Sequence, residues 1–115
     1  MMLIVDDNTQ MRQAIKDVLH NIGAEFCECP DGARALEMYR RFRPQWVLMD
    51  IKMPGIDGIK ATRMIKQSFP EARIVIVTNY DDLMIRKDAQ DAGAVGFVTK
   101  DDLSVLRTLV SNGVL

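Results

Sequence analysis

Apolar residues gather in five runs of strand length: Met2 to Val5, Glu25 to Cys29, Gln45 to Met49, Arg73 to Val77 and Val95 to Val98. Between these runs the spacing of apolar positions changes to that of a helix. The first helical stripe holds Met11, Ala14, Ile15, Val18, Leu19 and Ile22 and stops at Gly23, a residue type suited to a C-terminal cap. A second helix is expected from Asp31 to Phe42, with Leu36, Tyr39 and Phe42 facing inward and Arg40 and Arg41 outward. The third covers Gly58 to Phe69, places Ala61, Thr62, Ile65 and Phe69 on one side, and meets Pro70. The fourth runs from Asp81 or Asp82 to Gly93, and the fifth from Asp102 to about Ser111, with Val105, Leu106, Leu109 and Val110 apolar.

Strict alternation of strand and helix predicts a parallel sheet, because parallel neighbours need crossover connections and these are right-handed. The expected fold is α/β: a doubly wound five-stranded parallel sheet, flavodoxin-like, with strand order 2-1-3-4-5. Ligand sites in such sheets lie outside the carboxyl ends of the strands, where the strand order reverses.

Composition narrows the reading further. A chain of 115 residues, 48% hydrophobic and 27% charged, fits one ordinary domain with a single core and leaves no room for a second. The net charge of −1 and the lack of a basic block predict no direct nucleic-acid contact by these residues. The opening Met-Met-Leu-Ile-Val meets Asp6-Asp7 too soon for a signal peptide or a membrane span, so a cytoplasmic location without a membrane partner is expected. Cys27 and Cys29, two apart on a strand, read as buried thiols, and His20 as a solvated side chain. One histidine and two cysteines do not make a Cys/His metal centre.

The chemistry lies at the strand ends. Strand one runs into Asp6-Asp7, strand three into Asp50, strand four into Thr78 and strand five into Thr99-Lys100, while strand two offers only Cys29-Pro30. With the order 2-1-3-4-5 the inert end belongs to an edge strand and the others converge on one cleft. Three carboxylates in one cleft raise one another's pKa unless a positive group holds them ionised. A hard divalent cation suits an all-oxygen donor set, so Mg²⁺, or Mn²⁺ in its place, is the expected cofactor. With Lys100 it balances the three carboxylates and lets a phosphoryl group approach.

These groups divide the work of phosphoryl transfer among them. Asp50 is the expected phosphoacceptor. Asp7, Asp50 and the backbone carbonyl of Lys52 are the expected direct metal ligands, and Asp6 is expected to hold the metal's waters. Thr78 and Lys100 are expected to bind phosphoryl oxygens. Taken singly each has a plainer reading: Asp7 as a helix N-cap, Thr78 as a β-branched strand residue, Lys100 as a solvated charge, and Met53-Pro54-Gly55 as a turn. Asp57, beyond that turn, is expected to cap the third helix.

The motifs VDD at Val5 to Asp7, MDIKMPGIDG at Met49 to Gly58, VTN at Val77 to Asn79 and AGAVGFVTK at Ala92 to Lys100 resemble those of the receiver domain of two-component response regulators. The resemblance covers residues 1–115 as one receiver domain. It implies a phosphoryl group taken from a histidine kinase, a Mg²⁺ requirement, and a change spreading to the face of helix four, strand five and helix five. It makes Thr78 the switch hydroxyl and Phe97 the switch aromatic, where tyrosine is common. It also implies that Lys52 and Tyr80, each two residues past a site residue, tune the lifetime of the phosphorylated state. Asp101 after Lys100, in place of a proline, is similar to receivers of LuxR-type transcription factors, which carry a C-terminal DNA-binding output domain. On that resemblance an output domain is either separated from this chain or was never attached, and a homodimer is an expected partner state.

Two other classes compete. A protein-binding pseudo-receiver generally lacks one of the acidic, hydroxyl or lysine positions, all of which are present here. A phosphatase of the haloacid dehalogenase type normally has a second acid two residues past the nucleophile, where this chain has Lys52. A nucleotide-binding sheet would want glycines after strand one, where Asp7-Asn8-Thr9-Gln10 stands.

Overall fold

A computed structural model describes residues Met1 to Ser111. The chain alternates through β1 (Met2–Val5), α1 (Thr9–Val18), β2 (Phe26–Cys29), α2 (Ala35–Phe42), β3 (Trp46–Met49), α3 (Gly58–Ser68), β4 (Ile74–Thr78), α4 (Leu83–Ala92), β5 (Gly96–Thr99) and α5 (Ser104–Ser111). The strands form one parallel sheet in the order β2-β1-β3-β4-β5, as the alternation predicts. Residues 112–115 of the expected domain lie outside the described residues.

The sheet divides the core in two, because side chains alternate across a strand. Leu3, Val5, Val47, Met49, Ile74 and Ile76 pack with Tyr39 of α2, Ile65 of α3 and Ala89 of α4. Ile4, Leu48, Val75 and Val77 pack with Ile15 of α1 and with Leu106 and Val110 of α5. Both faces of the central strands are therefore buried, which is why β1, β3 and β4 read as unbroken apolar runs.

Several local expectations change. The first helix ends at Val18, not at Ile22, and the chain turns through Asn21 at φ 64° and Gly23 at φ 78° before β2. Polar Asn21, tolerant of the left-handed region, breaks the stripe. The second helix starts at Ala35, not Asp31, because Asp31 folds back to accept from the Arg34 amide at 3.0 Å. Phe42 points outward and is 38% exposed, under the Arg41 guanidinium at 5.4 Å from its ring, whereas Tyr39 faces inward as expected. A 3-10 turn over Lys100–Asp102 precedes α5, which begins at Ser104, not Asp102. Cys29 is buried, but Cys27 is only half-buried. Thr78 and Thr99 lie inside β4 and β5, pairing with each other in register, where strand ends at Val77 and Val98 were expected.

Candidate functional site

Register assembles the site. Val5 of β1 lies opposite Met49 of β3, so Asp6 and Asp50 leave the sheet side by side, and the Asp50 amide donates to the Val5 carbonyl at 2.8 Å. Thr78 and Thr99 end the next two strands in register, which delivers Lys100 to the same rim. The Lys100 ammonium lies 2.9 Å from Asp6 Oδ2 and 3.1 Å from Asp50 Oδ1. Asp6 is 1% exposed and Asp50 5%, so these charges are held in a nearly dry pocket. Asp7, next in sequence, is exposed, yet one carboxylate oxygen each of Asp6, Asp7 and Asp50 lies within 4.8 Å of the others.

Burial pushes the Asp50 carboxyl up, the Asp6 charge adds to that rise, and Lys100 opposes both. Burial alone would lower the Lys100 ammonium, but its contacts with Asp6 and Asp50 overcome that and raise it. Lys100 is thus firmly cationic at neutral pH. Asp6 Oδ2 is buried and receives no aligned hydrogen bond among the described residues, so it is offset only by the charge of Lys100. An under-satisfied buried carboxylate oxygen beside two further carboxylates is a donor set that fits a hard divalent cation.

The loops that present these groups are held by short-range capping. The Asp6 carboxylate accepts from the Asn8 amide at 2.9 Å, and Asn8, not Asp7, caps α1 by accepting from the Met11 amide at 3.0 Å. Asp7 is left free of the helix and turned to the pocket, which removes its plainer reading as an N-cap. Asp57 caps α3 as expected, accepting from the Lys60 amide at 2.8 Å. Gly58, next to it, donates its amide to the Ile51 carbonyl at 2.9 Å, and a Cβ there would collide with the Asp50 carbonyl. A glycine is required for α3 to start this close to the strand-three loop.

Thr78 is fully buried, and its Oγ1 accepts from the Tyr80 amide at 3.2 Å. Tyr80 is 48% exposed, and the Lys52 ammonium sits 5.4 Å from its ring centroid. The two loop residues therefore meet above the strand ends. Phe97 is half-buried on β5, with the Arg86 guanidinium of α4 over its ring at 4.5 Å and that guanidinium bonded to Asp81 at 2.6 Å. Cavities of about 290 and 220 Å³, both lined by Arg86 and Phe97, lie beside the ring.

Sequence reasoning missed Asn8, Gly58 and Arg12, the last of which donates to the Asp6 carbonyl at 2.6 Å. Asn8 carried a signal, an N-cap residue type three positions before Met11. Gly58 showed only as a glycine opening a helix, and Arg12 had no local signal because its carboxylate partner, Glu28, is remote in sequence.

The sequence profile of the response regulator receiver domain matches residues 2–111. Among curated proteins, the chemotaxis protein CheY of Bacillus subtilis is 43% identical over 99 residues, 85% of this chain and 82% of that protein. The response regulator GacA of Pseudomonas aeruginosa is 38% identical over 100 residues, covering 85% of this chain but 47% of GacA. Among solved structures, a LuxR-family two-component response regulator from Aurantimonas superposes with a TM-score of 0.87 at 32% identity, over 96% of this chain and 81% of that one.

Proposed function

The chain belongs to the response regulator receiver family, a phosphorylation-dependent signalling domain of two-component systems, and from that premise we propose that Asp50 is its phosphoacceptor. The observation that carries the assignment is the pairing of one lysine with two buried carboxylates, Asp6 and Asp50, with a third acid in reach.

Receiver domains take the group from histidine kinases or phosphotransferases; here we assign a histidine kinase as donor. An Asp50 oxygen attacks the phosphorus in line, a P–O bond forms, and the P–N bond to the donor histidine breaks with its electron pair returning to the imidazole. Lys100 holds one phosphoryl oxygen, exchanging one anionic partner for another. Thr78 offers its hydroxyl to a second. Asp7, Asp50 and the Lys52 carbonyl are the assigned ligands of Mg²⁺ or Mn²⁺, with Asp6 holding its waters. The ion's contribution is to neutralise charge on the phosphoryl oxygens. Phosphate incorporation from a small-molecule phosphodonor should proceed in Mg²⁺ and stop in chelator; equal incorporation in both would overturn the metal assignment.

Thr78 and Phe97 form the proposed switch. Movement of the hydroxyl toward the phosphoryl group frees room into which the half-buried Phe97 ring turns. The α4, β5 and α5 face is then the surface that changes, serving a homodimer or an output domain. Asp101 after Lys100 supports a LuxR-type subgroup and hence a DNA-binding output carried outside these residues, in a cytoplasmic protein.

Lys52 and Tyr80 are the proposed lifetime residues. Their contact supports a cover across the line along which water would attack the phosphoryl group. Tyr80→Ala and Lys52→Ala should each speed loss of phosphate from the purified domain, by a few-fold; unchanged rates in both would remove the cover from the account.

A further inference from the structure

We infer that Arg12 is a positioning residue for the metal-binding acids, acting through the main chain of Asp6 and anchored by Glu28 on the edge strand β2. The inference rests on the reading of Asp6, Asp7 and Asp50 as a Mg²⁺ site.

Arg12 lies in α1, one turn past the acidic pair, and its side chain is only 14% exposed. Each nitrogen of its guanidinium has a separate acceptor. Nη1 donates to the Asp6 carbonyl at 2.6 Å, Nε to Glu28 Oε1 at 2.8 Å, and Nη2 to Thr9 Oγ1 at 3.2 Å. Glu28 takes a second cation, Lys16, at 3.0 Å, and Lys16 and Arg12 together lower the pKa of its carboxyl.

The peptide that Arg12 grips is also held elsewhere. The Asp6 amide donates to the Cys29 carbonyl at 3.1 Å, and the Asp6 carboxylate accepts from the Asn8 amide. Amide, carbonyl and side chain of Asp6 are thus each tied down, two of the three ties running to β2 residues or through Arg12 to β2. β2 places no polar side chain at the rim, so its contribution to the site is this tether. A planar guanidinium spreads its donors over three nitrogens in a fixed fork and so reaches three acceptors on different sides, whereas an ammonium offers its donors from a single atom.

Charge and geometry predict opposite effects. As a mere positive charge beside the pocket, Arg12 would repel a cation, and removing it would tighten Mg²⁺ binding. As a positioning residue it sets where the two adjacent carboxylates point, and removing it loosens binding; partners that orient ligating groups are typically worth about 10-fold or more in metal affinity.

Calorimetric titration of the domain with MgCl₂ decides, alongside thermal melting in chelator. Arg12→Gln should weaken Mg²⁺ about 10-fold, and Arg12→Lys, which restores the charge but not the fork, should remain weakened. Glu28→Asp, which keeps the negative charge but draws it back from the guanidinium, should weaken binding in the same direction where charge alone predicts no change, and it remains informative if the Arg12 variants do not fold. Unchanged affinity in folded variants whose melting temperature falls would overturn the inference and leave Arg12 a stability element only. Tighter binding in Arg12→Gln would overturn it in favour of simple charge, and full recovery in Arg12→Lys would overturn it by showing that the fork is not needed. If the unaltered domain itself fails to bind Mg²⁺, the reading of the acidic pocket falls, and the inference with it.

Discussion

Asp50 is kept where a carboxylate is least comfortable, and its cost is measurable. Its pKa is raised by burial and by Asp6, so the folded state holds its proton more tightly than the unfolded chain does. The stability from that difference is fully present below the ordinary carboxylate value and is lost as pH rises through the raised one. At pH 7 without metal, ionised Asp50 therefore destabilises the fold. Asp50→Asn, which still offers Lys100 an oxygen, should raise the melting temperature in chelator at pH 7, by about 0.5–2 kcal/mol of stability. The gain should shrink as pH falls toward about 4, and also when Mg²⁺ stabilises the unsubstituted domain by binding it. A lower melting temperature for Asp50→Asn at pH 7 in chelator would contradict the burial argument. At these positions the sequence was informative only in combination: each side chain has a plainer reading taken singly, and their shared place at the ends of apolar strands is what points to chemistry. Asp7 was ambiguous until Asn8 proved to cap α1, and Phe42 was misplaced because an arginine next to it covers the ring from outside. No local pattern announces such a stacking.

Helix α4 is the least buried of the elements that would have to move. Its first residues, Leu83 and Met84, are 84% and 71% exposed, and only Ala89 and Ala92 are buried. Few buried apolar contacts mean a low cost of local rearrangement. The helix touches Phe97, the proposed switch aromatic, through Arg86, whose bond to Asp81 ties it back to the loop after Thr78. A phosphoryl mimic bound at Asp50 should thus alter amide exchange from Asp81 to Lys100 while leaving β1 and β3 unchanged. Unaltered exchange across that span would count against the switch. Element type and order were legible throughout, since the change from short unbroken apolar runs to a helical period of 3.6 survives errors at the ends. Boundaries were not, because the side-chain turn at Asp31, the left-handed backbone at Asn21 and the 3-10 turn at Lys100–Asp102 override the stripe over as much as a full helical turn.

One sheet order accounts for the whole arrangement. With β1 and β3 central and β4 and β5 beyond them, acids, hydroxyl and lysine meet at one rim, and β2 is left to brace the first acidic loop. That convergence could be reasoned from alternation alone, because parallel strands deliver all their carboxyl ends to the same side. The contacts that stiffen the rim, Arg12 with Glu28 and Lys52 with Tyr80, join residues far apart in sequence and could not be. The proposed donor, switch and lifetime roles all depend on Asp50 carrying the phosphoryl group. Intact mass after incubation with a small-molecule phosphodonor and Mg²⁺ tests this directly. The unsubstituted chain should gain the mass of a single phosphoryl group and Asp50→Ala none, whereas the same gain in Asp50→Ala would place the acceptor elsewhere and contradict the account.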